Sequence, residues 1–124
     1  MTAAGAPATD APAAGAPVID SHQHFWDLSA HHQPWLVSDP VLAPLLRNFT
    51  LADLAPLAAA AGVTASVVVQ TVTEPGETPE LLALAAGPGL VTGVVGWADL
   101  TAPDVADVLA RPRARRVAGG VEAG

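Results

Sequence analysis

Cysteine is absent from the 124 residues, which removes disulfide staples, thiolate nucleophiles and cysteine-type zinc sites and leaves any chemistry to oxygen and imidazole groups. Lysine is absent as well. Residues 1–110 carry eleven acids against one base, Arg47, before Arg111, Arg113, Arg115 and Arg116 crowd into the last stretch. A formal charge of −7 and a pI near 4.7 argue against capture of nucleic acid or anionic lipid by the body of the chain. Long apolar runs are missing too: Gly, Pro, Thr or a charge interrupts each one before the roughly 18 to 20 residues a membrane helix needs. Pro7, Asp10 and Pro12 sit where a secretory leader would be continuously apolar, so a cytoplasmic location is expected. The phosphate-cradling patterns G-x-G-x-x-G after the first strand and G-x-x-x-x-G-K-[ST] anywhere are not present.

What is present is enough apolar material for one small domain, at 51% apolar and 14% charged. Residues 1–17 are almost wholly Ala, Gly and Pro with no helical or strand period, and are expected to form a tail. From Val18 to about Ala110, an apolar β-branched run, a turn-rich loop and a short capped helix recur three times. Strands are expected at 17–22, 65–70 and 90–97. Helices are expected to start at Asp53 with Pro56 in the first turn, at Thr78 with Pro79, and at Thr101 with Pro103 and Asp104, the first ending at Gly62 and the second at Gly87. Strands alternating with helices imply a parallel sheet, either open and doubly wound or closed as a barrel. Residues 111–124, rich in Arg and Gly, read as a second tail.

The chemistry concentrates in Asp20-Ser-His-Gln-His-Phe-Trp26 at the carboxyl end of the first strand. Side chains alternate along an extended chain, so His22 and His24 project from one side with Cα atoms roughly 6.5 Å apart. Two neutral imidazoles there suit a divalent ion such as Zn, and the carboxyl ends of parallel strands are where such folds build sites. A polar cluster at the end of an apolar strand also costs free energy unless it is paired or used. His31 and His32 lie in a polar loop and read as solvated. Asp20 reads as orienting the strand or a ligand histidine, and Asp99, Asp104 and Asp107 as helix-start and surface charges.

Val18-Ile-Asp-Ser-His-Gln-His-Phe-Trp-Asp27, Gln33-Pro-Trp-Leu36, Val67-Val-Val-Gln70, Glu77-Thr78 before Leu81-Leu82, and Gly93-Val-Val-Gly-Trp-Ala-Asp-Leu100 resemble, in order, the amidohydrolase-2 family. The resemblance is particularly to its sugar-lactonase branch of fuconolactonase and rhamnonolactonase-like enzymes. The resemblance implies a (β/α)8 barrel of the TIM type that hydrolyses a lactone or related ring ester. It makes His22 and His24 the metal ligands (Zn or Mn) or substrate-polarising imidazoles, and places Trp26, Trp35, Gln70 and Trp97 at the substrate. The implied partner is a small molecule, and the oligomeric state stays open. A barrel of this kind uses eight strands and about 250 residues, and the likeness stops near Ala110 where the composition shifts. The chain is therefore expected to be an amino-terminal piece of about three β/α units, with the general base and a further metal ligand in the missing part, an exposed apolar face, and little activity of its own. Rival readings are a decarboxylase or hydratase of the same superfamily, or an interaction module whose Arg-rich end meets an acidic partner.

Overall fold

A computed structural model describes residues 15–111, so the tails expected at 1–17 and 111–124 lie almost wholly outside the described residues. Along the chain come β1 (Ile19–Gln23), α1 (Pro34–Val37), a 3-10 turn (Pro40–Leu45), α2 (Leu51–Ala60), β2 (Ala65–Val69), α3 (Glu77–Ala85), β3 (Val91–Val95) and α4 (Val105–Ala110). The strands make one three-stranded parallel sheet in the order β1-β2-β3. This is the mixed α/β architecture that the alternating pattern implied. None of the described helices is long and apolar enough to cross a membrane.

β-branched residues fill β2, where two heavy atoms on Cβ favour the extended backbone. Ser66 and Val68 on one face of β2 are fully buried, and Val68 packs with Phe25, Leu81, Ala85 and Val91, flanked by Leu51, Leu54 and Val94. The helices α2 and α3 therefore both contribute to the same side of the sheet. Each buried side chain of this size contributes about 1.5–3 kcal/mol relative to exposure. The other face is open among the described residues: Ile19 is 50% and Val95 51% exposed, with Val67 and Val69 half-buried.

The helix ends are where the structure departs from the sequence expectation. α2 begins after Thr50 and not after Asp53, because the Asp53 carboxylate reaches back to accept from the Thr50 N–H at 2.9 Å and from its hydroxyl at 3.2 Å. Pro56 consequently sits inside the helix, where it removes one backbone hydrogen bond. Gly62 does terminate α2: at φ +72° it lets its own N–H reach the carbonyl of Ala59 and that of Val63 the carbonyl of Ala58. α3 begins at Glu77, one residue before the expected cap Thr78, and α4 at Val105, four after Thr101. Pro79 lies in the first turn of α3, whose N–H groups have no intrahelical partner, but Pro56 lies in the second turn of α2 and Pro103 just before the Asp104 cap of α4, so proline marks a helix start only to within a few residues. Along α2 Ala58 is buried and Leu57 exposed.

Candidate active site

One extra residue in β1 decides which way the histidines face. Asp20 pairs with Ser66 and Gln23 with Val68, so three steps along β1 match two along β2. Asp20 lines a pocket with Ser66, Ala58 and Leu54 on the helix side, and the Gln23 side-chain amide donates to the Ser66 hydroxyl at 2.9 Å on that same side. His22 and His24, flanking Gln23, are thereby turned to the open face. A strand without the bulge would alternate strictly from Asp20 and point both rings into the helix layer. The Asp20 carboxylate accepts from the His22 N–H at 3.1 Å, bracing the bulge.

The two rings meet edge to face, with centroids 4.9 Å apart and planes at 79°. His24 Nδ1 is 2.8 Å from the carbonyl oxygen of Val69 and must donate its proton there, since a carbonyl only accepts. That bond fixes the tautomer and leaves the Nε2 lone pair of a neutral ring free. Both imidazoles are exposed, and the His22 ring makes no hydrogen bond among the described residues.

Gln70 and Trp97 come together at the carboxyl ends of β2 and β3, where the Trp97 N–H donates to Gln70 Oε1 at 3.1 Å. Gln70 Nε2 donates to the carbonyls of Val72 and Glu74, each at 2.7 Å, and the Thr78 hydroxyl donates to Oε1. Trp26 and Trp35 form a third pair, with ring centroids 5.4 Å apart at 86°. They organise the loop after β1: Trp26 exchanges two backbone hydrogen bonds with Phe49, its indole donates to the Arg47 carbonyl at 2.8 Å, and the Trp35 indole donates to Gln33 Oε1 at 2.8 Å. Leu36 and Gln33 are buried beneath. Trp26 also lines a pocket of about 290 Å³ with Phe25, His31, Phe49, Leu81 and Leu84, and neither His22 nor His24 borders it. No hydrogen bond or ring contact joins the three pairs among the described residues, although the carbonyl held by His24 is that of Val69, next to Gln70.

Two further residues hold this end of the sheet. His31, read from sequence as solvated, is only 13% exposed in its side chain, with Nδ1 2.9 Å from Glu74 and Nε2 2.8 Å from Glu80. Only the doubly protonated ring donates from both nitrogens, and the Glu74 and Glu80 hydrogen bonds hold its pKa above the usual histidine value. Glu77 is buried, and its carboxylate accepts from the Thr71 N–H and hydroxyl and from the Val72 N–H at 3.0–3.2 Å. His31 is joined to partners 43 and 49 positions away, a relation that no local pattern announces. Glu77 gave a fainter signal, an acid at a helix start six residues from Thr71. Hydrogen bonds from Ser29, Thr50 and Thr101 hold Asp27, Asp53 and Asp99 respectively below the ordinary carboxylate range, consistent with local turn and cap duties.

Comparison with known proteins places this geometry. No family model matches the sequence. The L-fucono-1,5-lactonase of Burkholderia multivorans is 39% identical over 105 residues, a match that takes in 85% of this chain and 35% of that protein. The L-fucono-1,5-lactonase of Burkholderia ambifaria is 38% identical over 96 residues, covering 77% of this chain and 32% of that one. A crystal structure of an amidohydrolase from Burkholderia multivorans with bound zinc superposes with a TM-score of 0.71 at 37% identity, over 82% of this chain and 35% of that chain. Over most of its length the chain is related to these lactonases and to that amidohydrolase. It spans about a third of the length of the relatives it matches.

The donor set of the chain fits half of a zinc shell. His24 presents a free Nε2 held in place by a backbone carbonyl, and His22 lies beside it with no competing hydrogen bond. Among the described residues no group of three His, Asp or Glu stands ready to hold a metal ion. A four-coordinate ion would need its remaining ligands from elsewhere.

Proposed function

We propose that this chain supplies the first three β/α units of a (β/α)8-barrel hydrolase that opens a sugar lactone or a related ring ester. His22 and His24 hold a divalent ion, Zn or Mn, or polarise the ring carbonyl directly. The observation that carries this reading is the His24 Nδ1 bond to the Val69 carbonyl, which aims a free imidazole nitrogen beside His22 on the one face of the sheet that no described helix covers. The relationship to two L-fucono-1,5-lactonases supports the substrate class, and the zinc in a related amidohydrolase supports the choice of ion.

When bound, the ion would supply Lewis acidity and a water of lowered pKa. The chain's own part is narrower. His22 and His24 offer two neutral nitrogens, the Val69 carbonyl keeps one ring from turning, and the Asp20 carboxylate steadies the backbone that carries the other. The indoles of Trp97, Trp26 and Trp35 border the approach to the sugar. Among the described residues no general base for the attacking water stands beside the histidines, and residues 1–124 alone turn over lactone negligibly. The unit at 18–110 is the partial barrel, flanked by Ala/Gly/Pro-rich and Arg-rich tails, in a cytoplasmic protein.

The test is a Zn²⁺ titration of the 124-residue chain with the ring resonances of its four histidines followed by NMR. His22 and His24 shift together, and His22→Ala abolishes the shared response. A response confined to His31 or His32, or none at all, sinks the reading. So does aldonolactone hydrolysis, with Zn or Mn added, that survives His22→Ala and His24→Ala together.

A further inference from the structure

We infer that Gln70 is a positioning residue of this site, one that sets Trp97 and the loop 71–76 against each other and makes no contact with substrate itself. The assignment rests on reading the carboxyl ends of the strands as the mouth of the site.

A glutamine amide has two N–H donors and one oxygen with two lone pairs. All four are used inside the chain: the donors on the Val72 and Glu74 carbonyls, the oxygen on the Thr78 hydroxyl and the Trp97 N–H. No polar atom of the side chain is left over for a ligand. Its four partners belong to three different segments, namely the loop after β2, the first turn of α3 and the chain leaving β3. The backbone adds a fifth tie, since the Gln70 N–H donates to the Val95 carbonyl at 2.9 Å.

The neighbour of Trp97 shows that this meeting point is packed as tightly as it is bonded. A Cβ placed on Gly96 would fall 2.5 Å from the Thr78 Cγ2 and 2.9 Å from its hydroxyl oxygen. α3 thus presses on the backbone of Gly96 while Thr78 and Gln70 hold the N–H of Trp97, the first also lying 3.2 Å from that nitrogen. The loop side is held as firmly, because the N–H groups of Thr71 and Val72 end on the buried Glu77 carboxylate. One amide therefore couples two pieces of the mouth through opposite ends of its dipole.

That polarity gives the experiment, hydrogen exchange measured amide by amide on the full chain. Gln70→Ala removes both ends. Exchange of the Trp97 amide, which loses an acceptor, accelerates about tenfold, and the Thr71 and Val72 amides accelerate on the same scale as the loop loses the two bonds that hold its carbonyls. Gln70→Glu keeps the oxygen that serves Trp97 and Thr78 but turns a second oxygen onto the two carbonyls. The Thr71 and Val72 amides then accelerate about tenfold while Trp97 stays within about threefold of the parent. An unchanged Trp97 amide in Gln70→Ala overturns the assignment. Equal acceleration of Val67, Val68 and Trp97 overturns it too, because Gln70 would then act on stability at large, as does a Gln70→Glu chain whose Trp97 amide moves as far as in Gln70→Ala. The Zn²⁺ response of His22 and His24 persists in both variants, so its absence beside an intact Trp97 pattern would count against the lactonase reading alone.

Discussion

On the helix-covered face of the sheet Val68 and Ser66 are 0% exposed and Val91 is 2% exposed, whereas on the opposite face Val95 is 51% exposed and the His22–His24 pair stands in the open. Both faces are cut from the same strands. The covered face is closed by Leu81, Ala85 and Phe25 and holds the folding free energy, while the open face carries the paired imidazoles of His22 and His24 and little packing. Because side chains alternate with a period of two, one strand serves both purposes without compromise, and a substitution is felt according to its parity.

The comparison breaks most visibly at β2 and β3. Val68→Asp places an unpaired carboxylate in a site with no exposure and no partner, at a cost of several kcal/mol. A domain of this size has roughly 5–15 kcal/mol in total, so the 124-residue chain is expected to lose most of its sheet signal by circular dichroism. Val95→Asp, on the open face, costs about 1 kcal/mol or less in a urea titration. Comparable losses from the two variants would mean that the second face is covered after all.

Much of this contrast was legible beforehand. The run Val67-Val-Val69 announces a strand apolar on both sides, and Gly62 and Gly87 mark where helices stop. The spacing of His22 and His24 correctly put the two rings on one side. It did not say which side, because that depends on the bulge between Asp20 and Gln23, and a bulge is a relation between two strands that neither strand's period contains. Helix starts were misplaced for a different reason. Pro56, Pro79 and Pro103 drew the boundary toward themselves, while the reciprocal pair Thr50 and Asp53, visible as Thr-x-x-Asp, was the better signal. The roles of His31 and Glu77 come from contacts across loops, which only the folded chain assembles.

His31 sharpens the comparison at intermediate magnitude. Its folded pKa lies above the ordinary value of 6.5, chiefly through its hydrogen bond to Glu74 and then that to Glu80. Protonation is therefore favoured by folding. The stabilisation is fully present below about pH 6.5 and is lost as pH rises through the folded pKa, where one of the two bonds loses its proton. Both glutamates are half-exposed, so solvent screening limits the effect to about 1 kcal/mol. Urea midpoints should fall between pH 6 and pH 9 in the parent and change less in His31→Gln. A midpoint that rises over that interval reverses the sign and removes the ion-pair account of how the loop after β1 is tied to α3.

The smallest effect is the most telling about the open face. The His22 ring is exposed, touches His24 edge-on and has no hydrogen bond among the described residues, so nothing in the folded chain depends on it. His22→Ala is expected to shift stability by no more than about 0.5 kcal/mol, within the range of ordinary surface changes, while removing one of two nitrogens from any bound ion. An exposed ring that contributes nothing to packing keeps its nitrogens free to bind. If His22→Ala instead lowers the urea midpoint as far as a core truncation such as Leu81→Ala, about 2–5 kcal/mol, then the imidazole is part of the packing. The open face would then be a second structural surface and not the floor of a site.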